Sequence, residues 1–157
     1  MAIRSTAKAV VLHDGQILVN QCINSKGNVY YDLPGGGQDQ FETLEDAVIR
    51  EVLEETGYTI AVGKYLALAE EICDNQELRA TYYDYTHRLF HIFLAYLTDA
   101  PRQKTREMDS QHQSSIWVPV NAIDSLIFRP ANLSGKISSL LYSEGAQYLG
   151  NTRFVSL

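Results

Sequence analysis

The segment from Gly35 to Tyr58, GGGQDQFETLEDAVIREVLEETGY, constrains this chain more than any other stretch. It opens with three glycines after Pro34 and ends in a crowd of glutamates before Gly57. The residues between dictate a helix. Thr43 precedes Asp46 at the spacing of an N-terminal capping box. Leu44, Val48, Val52 and Thr56 step by four along one face, and Gly57 supplies a stop. Glu51, Glu54 and Glu55 then fall at i, i+3 and i+4. At about 100° per residue they share one stripe. Such a stripe costs a few tenths of a kcal/mol per adjacent pair, and the helix dipole disfavours negative charge in the last turns. A helix shaped for stability alone would avoid it. Carboxylates gathered this way are oxygen ligands for a hard divalent cation; the competing reading is a solvated acidic face.

The flanking sequence predicts strands. Ala7 to Leu12 is apolar except for Lys8, and Gln16 to Ile23 resumes the run after Asp14-Gly15, the signature of a β-hairpin. Ser25 to Asn28 reads as a turn, and Tyr30 to Leu33 as extended chain, since Pro34 disfavours helix before it. Gly35-Gly36-Gly37 reads as a flexible bend. Tyr58 to Cys73 and Leu89 to Leu97 read as strands, Pro101 to Ser114 as a loop, and Ile116 to Val118 as a short strand. Pro119 can open a short helix at its first position. Leu133 to Leu141 fits a second amphipathic helix. Strands, helix, strands, helix predicts an α/β fold with a mixed sheet and helices against it. The 157 residues suit one domain, 1–157.

Charge narrows the partners. A formal net charge of -6 repels polyphosphate backbones, which argues against nucleic-acid polymers. A small phosphorylated ligand is still compatible if a cation lies between it and the protein. No window reaches the length of a membrane span and no signal peptide is evident, so a cytoplasmic protein without a membrane partner is expected. Cys22 and Cys73 read as buried free thiols.

With these residues in place, the chain resembles the Nudix hydrolase family. Gly36, Glu42, Arg50, Glu51, Val52, Glu54, Glu55, Gly57 and Tyr58 occupy the positions of the family's box; Tyr58 stands where an aliphatic residue is usual. The approach Leu33-Pro34-Gly35-Gly36 and the later Ile116-Trp117-Val118-Pro119 are also similar to the family. The resemblance implies an α/β/α sandwich and attack by water on a phosphorus of a nucleoside-diphosphate derivative, with Mg²⁺ or Mn²⁺ as cofactor. It implies catalytic roles for Glu51, Glu54, Glu55 and Arg50. Metal would be held by Glu51, Glu54, Glu55 and the carbonyl of Gly35. Glu42 and Gly57 would support the box, with Glu42 orienting Arg50 or reaching metal through water. Gly36 and Gly37 would let backbone approach the phosphates, and Arg88 is a candidate phosphate contact beside Tyr82, Tyr83, Tyr85 and His87. Glu107 and Asp109 are candidate external bases, because Gln113 and His112 stand where many relatives place a glutamate.

Substrate identity stays open among nucleoside triphosphates, nucleotide sugars and similar compounds. No proline falls between Gly57 and Pro101, which argues against the ADP-ribose subgroup, and the tyrosine associated with dinucleoside polyphosphates is absent. Relatives often form homodimers, so that assembly is open too. A catalytically silent nucleotide-sensing domain of the same fold is the alternative; no acid of the box is missing. Trp117 reads as a core anchor ahead of a base-stacking plate, and His91 as a satisfied core histidine.

Overall fold

The computed structural model describes residues 3–105 and 112–156. Strand β1 (Arg4–His13) runs into β2 (Gln16–Ile23) through Asp14 and Gly15, both at positive φ (49° and 71°), as a two-residue primed turn requires. The hairpin is brief. Only Leu12↔Ile17 and His13↔Gln16 pair, and then the strands part. β2 goes on to pair with β3 (Val29–Asp32) and with β7 (His112–Pro119). β1 pairs with β4 (Gly35–Gly37) and lies parallel to β6 (His87–Leu97). The sheet continues antiparallel to β5 (Ile60–Cys73) and ends parallel at β8 (Gln147–Phe154). It is a mixed sheet, as expected, with the order β3-β2-β1-β6-β5-β8.

Alternation along β1 builds the layers, because successive side chains point to opposite faces. Ala7, Ala9 and Val11 face helix α1 (Leu44–Thr56) and pack with Ala47, Val48 and Val52. Val10 faces the other way, into a core with Phe90, Ile92, Phe128, Leu133, Ile137 and Leu140. That second face is covered by α3 (Val120–Ile123), α4 (Ile137–Leu141) and a 3₁₀ turn, Ala131–Leu133. No helix among the described residues is long and apolar enough to cross a membrane. Cys22 and Cys73 are buried free thiols.

Several local expectations need correction. The glycine run is the short strand β4 on β1, because extended glycines fit where a side chain would collide: a Cβ on Gly35 would stand 2.1 Å from the Ala7 carbonyl oxygen. The C-terminal helix does not run from Leu133 to Leu141. Gly135, at φ 75°, breaks it into the 3₁₀ turn and α4. β7 is longer than Ile116 to Val118, because β2 offers a partner as far as His112. Pro119 is the residue before α3 rather than its first. Beside Arg88 in sequence, Tyr82 follows α2 (Gln76–Thr81), and Tyr83 and Tyr85 bound a 3₁₀ turn, Tyr83–Tyr85.

Candidate active site

Helix α1 carries the site, and its ends are fixed as the sequence dictates. The Thr43 hydroxyl accepts from the Asp46 N–H at 3.1 Å. Gly57 stops the helix at φ 79°, its N–H donating to the Leu53 carbonyl at 2.9 Å. No basic residue lies in the last turn. Arg102 compensates from the loop after β6, donating to the Thr56 carbonyl at 3.0 Å and lying over the Tyr58 ring at 4.6 Å. A cation at the carbonyl end of a helix is where the dipole favours one. Tyr58, the departure from the family's aliphatic position, meets Trp117 edge-on with centroids 5.6 Å apart. Trp117 is half-buried there and donates from Nε1 to the Tyr58 hydroxyl at 3.3 Å.

Arg50 is the hub. Its Nε and Nη2 donate to the two Glu42 carboxylate oxygens at 2.8 and 2.9 Å, a bidentate clamp. Nη1 donates to Glu51 at 2.8 Å and reaches Glu54 at 3.5 Å, and Nη2 also donates to the Gly37 carbonyl at 3.0 Å. The clamp and the Asp39 N–H lower the Glu42 pKa to about 2. The same bonds hold the Arg50 guanidinium firmly charged. One cation thus serves several carboxylates, and the surplus negative charge stands beside β4.

Glycine is required where α1 meets β4. A Cβ on Gly36 would lie 2.4 Å from the Glu51 carboxyl carbon, so the missing side chain is the space that carboxylate occupies. Glu55 reaches further in. Its Oε2 accepts from Asn20 Nδ2 at 2.9 Å and from the Gly35 N–H at 3.1 Å. Burial pushes its pKa up to about 7, with Asp32 adding to the rise and Lys8, the Gly35 N–H and Asn20 opposing it. The Lys8 ammonium donates to the Gly35 carbonyl at 3.0 Å and lies 3.7 Å from Asp32.

The structure therefore brings together Gly35, Gly36, Gly37, Glu42, Arg50, Glu51, Glu54 and Glu55, with Gly57 ending the helix that carries them. The three stripe glutamates are half-buried rather than splayed into solvent. Among the described residues no three acid, histidine or cysteine side chains already close on one point as a cage; Arg50, Asn20 and backbone N–H groups hold them instead. The donor set still fits a hard cation: all-oxygen, anionic in excess, and holding one acid whose charge lacks enough compensation. Arg88 lies away from this cluster and is ion-paired with buried Glu71. His91 bonds Tyr65 through Nδ1 at 3.0 Å, and burial lowers its pKa, as suits a core histidine. Glu107 and Asp109 lie outside the described residues.

Lys8, Asn20 and Asp32 were not singled out from the sequence, although each is a lone polar residue in or beside an apolar run. A second polar surface lies on the sheet face away from α1. There Thr6 Oγ1, Arg88 Nε and Thr152 Oγ1, with Asn132 Oδ1 packed over β8, are buried without a hydrogen-bond partner. Buried polar atoms of this kind are rare unless water or a ligand serves them.

Comparison with known proteins gives the same direction. A family model of the NUDIX domain matches residues 3–138. The "Low-salt glycan biosynthesis protein Agl8" of Haloferax volcanii is 30% identical over 111 residues, 70% of this chain and 67% of that protein. A Bacillus subtilis protein named "Putative 8-oxo-dGTP diphosphatase" is 40% identical over 57 residues, 36% of this chain and only 37% of that protein. Among solved structures, the MutT protein from Bacillus halodurans superposes with a TM-score of 0.67 at 17% identity, covering 97% of this chain and 90% of that one.

Proposed function

This chain belongs to the Nudix hydrolase family, and from that premise we propose that it cleaves the diphosphate linkage of a nucleoside-diphosphate derivative with the help of Mg²⁺ or Mn²⁺. The observation that carries the reading is the Arg50-centred cluster of Glu42, Glu51 and Glu54 against Gly36 and Gly37, with Glu55 on the Gly35 N–H. A bound divalent cation would neutralise substrate phosphate and lower the pKa of a bound water.

The chain's own groups do the rest. Glu51, Glu54, Glu55 and the Gly35 carbonyl would hold the cation. Arg50 orients the Glu51 and Glu54 carboxylates, and Glu42 fixes Arg50 in turn. Asn20 orients Glu55, and the Ser115 hydroxyl orients Asn20 with a bond of 2.8 Å. Gly36 and Gly37 leave room for the Glu51 carboxylate and the Arg4 guanidinium beside the site of the diphosphate. One relative is named for a nucleotide and another for glycan biosynthesis, which leaves both triphosphates and nucleotide sugars as substrates.

The test is turnover of nucleoside-diphosphate derivatives with Mg²⁺ or Mn²⁺, with products identified. Water attack must release a nucleoside monophosphate and a phosphorylated second product, or pyrophosphate from a triphosphate. Glu55→Gln should lose about 10²–10⁴-fold in rate while staying folded. Unchanged turnover in that variant, or nucleotide binding with no turnover in the native protein, counts against a hydrolase.

A further inference from the structure

A cleft of about 360 Å³ opens directly beside the acid cluster, between the start of β1 and the loop after β4. It falls in the size range of small-ligand sites, roughly 300–1,000 Å³. Glu42 belongs to both the cleft and the Arg50 clamp, so whatever sits here adjoins the reacting diphosphate.

The lining has a definite chemistry. Arg4 lays its guanidinium over the Tyr85 ring at 4.7 Å and fills the space a side chain at Gly37 would take. Among the described residues neither Arg4 nor Asp84 has an ion-pair partner. Phe41 is 99% exposed and sits at φ 69°, a region bulky residues rarely adopt. An aromatic side chain held in water at the lip of a cleft gains nothing from its own fold. The wall behind it is stiff: Gln38 accepts from the Ser5 hydroxyl at 2.8 Å and donates to the Glu42 carbonyl at 2.7 Å.

Charge decides between occupants. Arg50 already pairs with Glu42 and Asp39, which leaves Arg4 and Asp84 as opposite charges that balance in the lining. Free phosphate groups find no surplus positive charge there, and a site can select against the wrong ligand as well as for the right one. A neutral ring with hydroxyls meets acceptors in the carboxylates, a donor fork in Arg4 and an apolar plate in Phe41. Resting on the hydrolase reading above, we propose that this cleft receives a neutral sugar ring, that the substrate is a nucleotide sugar rather than a nucleoside triphosphate, and that Arg4, Phe41 and Asp84 determine that specificity.

The test compares kcat/KM of the full chain with Mg²⁺ on UDP-glucose, GDP-mannose, ADP-glucose and dTDP-glucose against UTP, GTP, ATP and dTTP. The native protein should favour at least one nucleotide sugar over the triphosphate of the same base. Phe41→Ala should lower that sugar-to-triphosphate ratio about fivefold, the scale of a lost aromatic contact. Asp84→Asn should lower it too, by leaving Arg4 uncompensated and so favouring the triphosphate. A native preference for triphosphates, or a ratio unmoved by both variants, overturns the proposal and leaves the hydrolase reading intact. Calorimetry with the same compounds and Ca²⁺ separates the two failures. If the native protein turns nothing over yet binds a nucleotide sugar, and Phe41→Ala weakens that binding about fivefold, the cleft assignment stands and the hydrolase reading fails. No turnover and no such binding ends both.

Discussion

Gly36→Ala isolates the geometry of the acid cluster from the stability of the fold. The added methyl would lie 2.4 Å from the Glu51 carboxyl carbon and from Oε2, and 2.8 Å from Oε1. Ordinary contact begins near 3.4 Å, so the carboxylate must retreat by about 1 Å. The obstacle is the far end of a flexible side chain, and Gly36 does not need a positive φ. The fold should therefore lose little, under about 1 kcal/mol, the size of ordinary glycine-to-alanine effects. Activity should suffer far more, since a misplacement of about 1 Å at a reacting centre can cost about 10²-fold. The assay is kcat/KM with Mg²⁺ beside a urea melt of the same preparation. A variant that stays within about threefold of native activity while keeping its stability would refute the claim that Glu51 must stand against bare backbone.

Gly57→Ala should behave in the opposite way. The site needs φ 79°, and the new Cβ would meet the backbone oxygen of Gln103 at 2.0 Å, so denaturant melts should show a loss of about 1–3 kcal/mol. Glu42 supplies a pH test. Its carboxyl is lowered from 4.5 to about 2 in the folded chain, so the Arg50 clamp stabilises fully above pH 4.5 and is lost as pH falls through about 2. Glu42→Gln should flatten the fall of Tm across that window; an unchanged acid limb would remove Arg50–Glu42 from the account. His91 is lowered by burial, so its neutral form stabilises above the ordinary value near 6.5, and that contribution fades as pH drops below it. His91→Gln should lessen the loss of Tm on acidification from pH 7 to 5, and a slope that stays the same would mean the ring is not held neutral.

What the sequence made legible follows from how local each feature is. The cap at Thr43, the stop at Gly57 and the meeting of Arg50 with Glu51 and Glu54 are set within a few residues on one helix. Lys8, Asn20 and Asp32 join Glu55 only because β1, β2 and β3 lie side by side, a register no short window encodes. β8 was missed for a related reason. It is an edge strand whose residues are exposed or half-buried, with Gly150 at positive φ, so it carries little apolar alternation. α2 is a single short polar turn capped by Asn75, and none of its residues is buried. Phe41 reads in sequence as one more apolar residue near a helix start; only its exposure shows that it packs on nothing.

The most direct measurement is Mn²⁺ binding by electron paramagnetic resonance, on the native chain and on Glu51→Gln and Glu55→Gln, with circular dichroism to check folding. The native protein should bind Mn²⁺, each variant should bind at least tenfold more weakly while folded, and chelation should stop turnover. Equal Mn²⁺ binding in all three, or full hydrolysis in the presence of a chelator, would contradict the assignment of these glutamates as the cation's ligands.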